Sequence, residues 1–78
     1  MDIKAAAIKT REIVLDAYIW PTKPEKLGRL HVAWMLDQIE SGQVSGEKAH
    51  RWLGWAQAAV VHANAGTLDE MKHINKAA

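Results

Sequence analysis

Apolar positions recur at helical spacing in four stretches of this chain, and short polar runs rich in Gly, Pro, Ser and Thr separate them. In the first stretch Ile3, Ala6, Ala7, Thr10, Ile13, Val14, Ala17 and Tyr18 share one face of a helical wheel. Ile8, Leu15 and Ile19 form a second, narrower stripe that the core of a monomer does not need. Asp2 is the expected N-cap. The pattern predicts a helix from Asp2 to Ile19. Trp20-Pro21 ends it, because a residue before proline is pushed out of the α region.

Thr22-Lys23-Pro24-Glu25 has the form of a capping box, so helix two is expected from Lys23 to Glu40. Its wheel has two apolar arcs. Leu27, Leu30 and Trp34 form one; Val32, Met35, Leu36 and Ile39 form the other. Ser41–Gly46 is the connection, with Gly42 suited to a C-cap, Ser45 to an N-cap and Val44 to a hydrophobic staple on Ala49. Helix three is expected from Gly46 to Asn64. Its stripe is Ala49, Trp52, Leu53, Ala56, Ala59, Val60 and Ala63, while His50, Arg51, Gln57 and Asn64 belong to the wetter side. Gly66 is the expected left-handed closing residue. Thr67-Leu68-Asp69-Glu70 is a second capping box, opening a short helix over 68–75 that Leu68, Met71 and Ile74 would dock.

The fold class that follows is all-α: one domain over residues 1–78, with three main helices and a short C-terminal one. Helices two and three are expected to form an antiparallel hairpin, with helix one across it and helix four capping an end.

Composition narrows the function. The absence of cysteine excludes a disulfide-stapled scaffold and a Cys-based zinc site. The formal net charge of +1 argues against both a strongly basic nucleic-acid binder and an acidic mimic of DNA. No apolar run is long enough to cross a membrane, and the N-terminal residues lack the apolar stretch of a signal peptide. A cytoplasmic location is expected.

Candidate chemistry is sparse. No two of His31, His50, His62 and His73 stand three or four residues apart, so no helical metal pair forms and no metal is expected. Asp37 and Glu40 read as a solvated acidic edge rather than an acid–base pair. The hydroxyl residues Thr22, Ser41, Ser45 and Thr67 fall at caps. No catalytic residue and no cofactor are expected, and the chain does not read as an enzyme.

Four tryptophans are the exception to this plain inventory. Each is large, and each carries an N–H that wants a partner. Trp34 and Trp52 sit on core-type stripes and are expected to be structural. Trp20 and Trp55, with Arg51 beside the latter, are the expected partner-binding residues, since Trp and Arg dominate interface hot spots. The surplus stripes name an oligomer interface at Ile8, Leu15, Ile19, Met35 and Ile39, most simply a two-fold dimer.

The segments Arg29–Ile39 and Gly46–Gln57, followed by Thr67–Asn75, resemble small helical proteins encoded by bacteriophages and prophages. Those carry an "HLxWM…I" helix, a "KAxRWLGWxQ" helix and a "TLDEMKxIN" tail. The likeness covers residues 29–75 and brings no activity or functional residue with it. It implies an accessory protein of the host cytoplasm that binds and modulates, or inhibits, a host or defence protein. The alternative is a small DNA-binding regulator reading through helix three, with Lys48, His50, Arg51 and Gln57 as contacts.

Overall fold

A computed structural model describes all 78 residues. It is all-helical, with no strand: α1 (Ile3–Asp16), α2 (Arg29–Glu40), α3 (Gly46–His62) and α4 (Leu68–Ala77), plus a 3-10 turn at Glu25–Leu27. α1 packs most extensively on α2 and also rests on α3, α2 packs on α3, and α4 lies against α1 and α3.

The core follows the apolar stripes of α1 and α3. Ala6, Ala7 and Val14 from α1 meet Val32, Leu36 and Ile39 from α2 and Ala49, Leu53, Ala56, Ala59 and Val60 from α3. Five of these are alanines. Small side chains let helix backbones approach closely, so a short chain excludes water without many large residues. Val44 is buried as the staple reading expects, and Met71 anchors α4.

Caps explain most helix ends. Asp2 accepts from the N–H groups of Lys4 and Ala5, both at 3.1 Å. Thr67 and Glu70 close the predicted capping box in both directions, each bond 3.1 Å. Gly42 closes α2 with φ of 83°. Ser45 stands at the N-cap of α3 but makes no side-chain cap bond.

Several expectations are corrected. α1 stops at Asp16, not Ile19, because the following segment folds back across the start of α2: the Arg29 guanidinium donates to the Ala17 carbonyl. Tyr18 therefore leaves the core face and is 97% exposed. α2 starts at Arg29, not Lys23. Pro24 and Gly28 both hold extended backbone, with ψ of 151° and 154°, so only the isolated 3-10 turn forms between them and the Thr22 capping box does not. α3 ends at His62, two residues early. Gln57, placed on the wetter side, is buried, because α1 and α4 bring polar partners to it. Leu68 stays exposed and leaves the docking of α4 to Met71, with Ile74 partly buried.

Gly66 is present for space rather than for a left-handed turn. The positive φ after α3 belongs to Asn64, at 57°. A Cβ on Gly66 would sit 3.0 Å from Cγ1 of buried Val60 and 3.2 Å from the Met71 methyl. Val60 is β-branched and enclosed, so it cannot yield cheaply. Gly66→Ala is expected to destabilise by about 1–3 kcal/mol through overpacking. Gly54, inside α3, is the opposite case, since a Cβ there meets nothing within 4 Å. Gly54→Ala should stabilise by about 1 kcal/mol from helix propensity alone. Thermal unfolding of the two variants should shift in opposite directions; shifts of the same sign would refute the assignment.

Candidate functional site

Two indole N–H groups shape one end of the molecule. Trp20, in the segment after α1, donates to the Leu27 carbonyl at 2.8 Å. Trp55, on α3, donates to the Lys26 carbonyl at 2.9 Å. The 3-10 turn is thus held from both sides through neighbouring carbonyls. Each bond satisfies an N–H that would otherwise cost stability where it is shielded from water.

From this turn an aromatic path crosses to α3. The ring of His31 lies 5.8 Å from that of Trp34, and Trp34 lies 5.5 Å from Trp52, with ring planes tilted by 33° and 43°. Tilted pairs at this spacing are favourable, because they avoid the face-to-face overlap of two electron-rich ring systems. Lys48 then places its ammonium 5.2 Å from the Trp52 ring centre, in cation–π range.

Beside the path runs an open groove of about 510 Å³, lined by Tyr18, Trp20, Pro21, Leu30 and His31, with Glu25 and Arg29 also at its walls. Tyr18, Ile19 and Leu30 are 97%, 73% and 85% exposed. Trp34 and Trp55 keep about half of their surface, at 50% and 46%. No backbone group from Tyr18 to Lys23 takes part in a backbone hydrogen bond. The groove and the ring contacts meet at His31. Exposed apolar side chains gathered along a groove in this way mark candidate interaction sites.

The predicted site residues separate accordingly. Trp20 lines the groove, Trp55 stands half exposed against the 3-10 turn, and Arg51 is exposed on α3 one turn before Trp55. Trp34, expected in the core, is half exposed: in the arc Leu27, Leu30 and Trp34, Leu30 lines the groove, Trp34 meets Trp52 of α3 and Leu27 packs partly buried against the core, while Val32, Met35, Leu36 and Ile39 face inward. Trp52 is half-buried and packs against the core. Met35 and Ile39, expected at an oligomer interface, are 7% and 1% exposed, so the chain's own helices already cover them. Ile8, Leu15 and Ile19 remain exposed. Sequence reasoning missed Tyr18 and Leu30, the two most exposed members. Their apolar periodicity hid them: Tyr18 continues a stripe that the early end of α1 interrupts, and Leu30 belongs to the apolar arc of α2 that is turned outward.

Polar chemistry lies elsewhere and is structural. Arg11 of α1 donates to Asp37 at 3.1 Å and reaches Glu40 Oε2 at 2.6 Å, the latter as an ion pair rather than a directed hydrogen bond. The acidic edge of α2 thus holds α1. Gln57 and Asn75 exchange amide hydrogen bonds of 2.7 and 2.9 Å, and Gln57 also donates to Thr10 at 3.2 Å. No group of His, Asp or Glu has the geometry of a metal site. No helix is long and apolar enough to cross a membrane.

The fold and this surface define a small helical protein with an exposed aromatic face. No family model matches the chain, and comparison with curated proteins and with solved structures finds no match.

Proposed function

We propose that this chain is a non-enzymatic binding protein that acts by covering part of another protein. The observation that carries the reading is the groove flanked by the almost fully exposed Tyr18 and Leu30, with the half-exposed Trp34 reached from it through His31. Aromatic side chains held by their neighbours lose little freedom on binding, which is why they anchor interfaces. The tilted stack on Trp34 and the indole bond of Trp55 hold the rings in this way. The short Ser41–Ser45 connection supports an antiparallel hairpin of α2 and α3 as the platform. The resemblance of residues 29–75 to phage-encoded proteins supports a bacterial host or defence protein as the target, met in the cytoplasm.

The test is affinity capture from a bacterial lysate, wild type beside the double variant Tyr18→Ser, Leu30→Ser. Both side chains are almost fully exposed, so the variant should fold normally by circular dichroism. Wild type is expected to retain one protein that the variant loses. Recovery of nucleic acid alone would overturn the reading in favour of DNA binding through α3. Salt separates the two as well: five phosphate contacts would weaken duplex binding roughly 500-fold between 50 and 200 mM salt, whereas an apolar interface changes only a few-fold.

A further inference from the structure

The near-neutral net charge hides a polarity. Residues 18–34 and 46–58, which build the aromatic surface and its rim, carry Lys23, Lys26, Arg29, Lys48 and Arg51 against only Glu25 and Glu47. The remainder of the chain carries five cations against seven carboxylates. Every ion pair lies in that remainder: Lys9 with Glu12, and Arg11 with Asp37 and Glu40. None of the five rim cations has a carboxylate within 4.0 Å. Arg29 is engaged by the Ala17 carbonyl and Lys48 rests on Trp52, while Lys26 and Arg51 point to solvent beside Trp55.

We infer that the partner is an acidic protein segment that presents aliphatic or aromatic side chains between its carboxylates. The inference rests on reading this face as protein-binding. Apolar side chains of the segment fill the groove between Tyr18 and Leu30, and its carboxylates meet Lys26, Lys48 and Arg51. Complementary charge at a rim speeds encounter and rejects wrong partners. Two other occupants fit less well. A second copy docked through the same face across a two-fold axis would set one basic rim against the other. A single-stranded nucleic acid needs open ring faces for base stacking. Here Tyr18 alone offers an almost fully open ring, Trp34 and Trp55 are half covered, and Lys48 covers one face of Trp52, so no run of stacking platforms forms.

The experiment pans a random 16-residue displayed-peptide library on three purified proteins. They are wild type, the charge-reversed Lys26→Glu, Lys48→Glu, Arg51→Glu, and the neutral Lys26→Gln, Lys48→Gln, Arg51→Gln. All three positions are exposed, and the Gln variant serves if the reversed one fails to fold. The oligonucleotide dT16 is titrated in parallel. Wild type is expected to enrich peptides rich in Asp and Glu among Leu, Phe or Trp. A resynthesised winner should bind either charge variant at least tenfold more weakly and exceed dT16 in affinity by tenfold or more. Enrichment of uncharged or basic peptides overturns the inference, and so does an acidic winner that the charge variants bind equally well. If Tyr18→Ser, Leu30→Ser still abolishes such peptides, the protein-binding reading stands without its acidic preference. No enrichment, with no dT16 binding, overturns the inference alone. No enrichment with tight dT16 binding overturns both.

Discussion

Leu36→Ala is expected to lower stability by about 3 kcal/mol and the thermal midpoint by roughly 12–24 °C. Leu36 is fully buried at the centre of α2, among Val14, Val32 and Ile39 in the same core. Truncation removes transfer free energy and leaves a cavity that helices lined with alanine cannot collapse to fill. A chain of this length has a total stability of only about 4–12 kcal/mol, so the loss is a large share of it. The control is Leu30→Ala, the same chemistry in the same helix. Leu30 is 85% exposed, and its truncation should fall within about 0.5 kcal/mol of wild type. Calorimetry of the two variants decides: equal midpoints would mean that the core arc of α2 is misassigned.

Gln57→Leu is expected to cost about 2 kcal/mol and to loosen α4 before the rest of the molecule. Gln57 is 7% exposed and is the hub of the one polar network that crosses the core. It joins Thr10 of α1 to Asn75 of α4, and it exchanges both amide bonds with Asn75. Leucine fills similar volume but leaves the half-buried Asn75 amide without its partner, and an orphaned polar group costs more than a made bond contributes. Thr10 suffers less, because its hydroxyl keeps the bond to the Ala6 carbonyl at 2.8 Å. The double variant Gln57→Leu, Asn75→Leu removes both partners and should recover most of the loss. Amide exchange in α4 should accelerate in the single variant and return toward wild type in the double. Purely additive losses in the mutant cycle would show that the network is not coupled.

Local chemistry alone determined much of this protein. Apolar periodicity marks four helices and no strand, and most of the interior of α1 and α3 is legible, from Ala6 and Val14 to Leu53 and Val60, with buried Gln57 the exception. The Asp2 cap, the Thr67–Glu70 box and the Gly42 closure are equally local, because the groups that bond stand within four residues of one another. Tertiary structure decided which apolar arc of α2 faces inward. Both arcs are apolar, and a wheel ranks hydrophobicity without knowing where the neighbouring helices lie. The core took Val32, Met35, Leu36 and Ile39 because α1 and α3 enclose that side, and Trp34 and Leu30 were left outward. It also decided where α1 ends. The Ala17 carbonyl is held by Arg29 and Trp20 by Leu27, partners seven to twelve residues away that local propensity does not see. The exposed aromatic surface is a product of those two decisions. It joins Tyr18, released by an early helix end, to Leu30 and Trp34, turned out by the choice of arc, and to Trp55, brought alongside by the packing of α3.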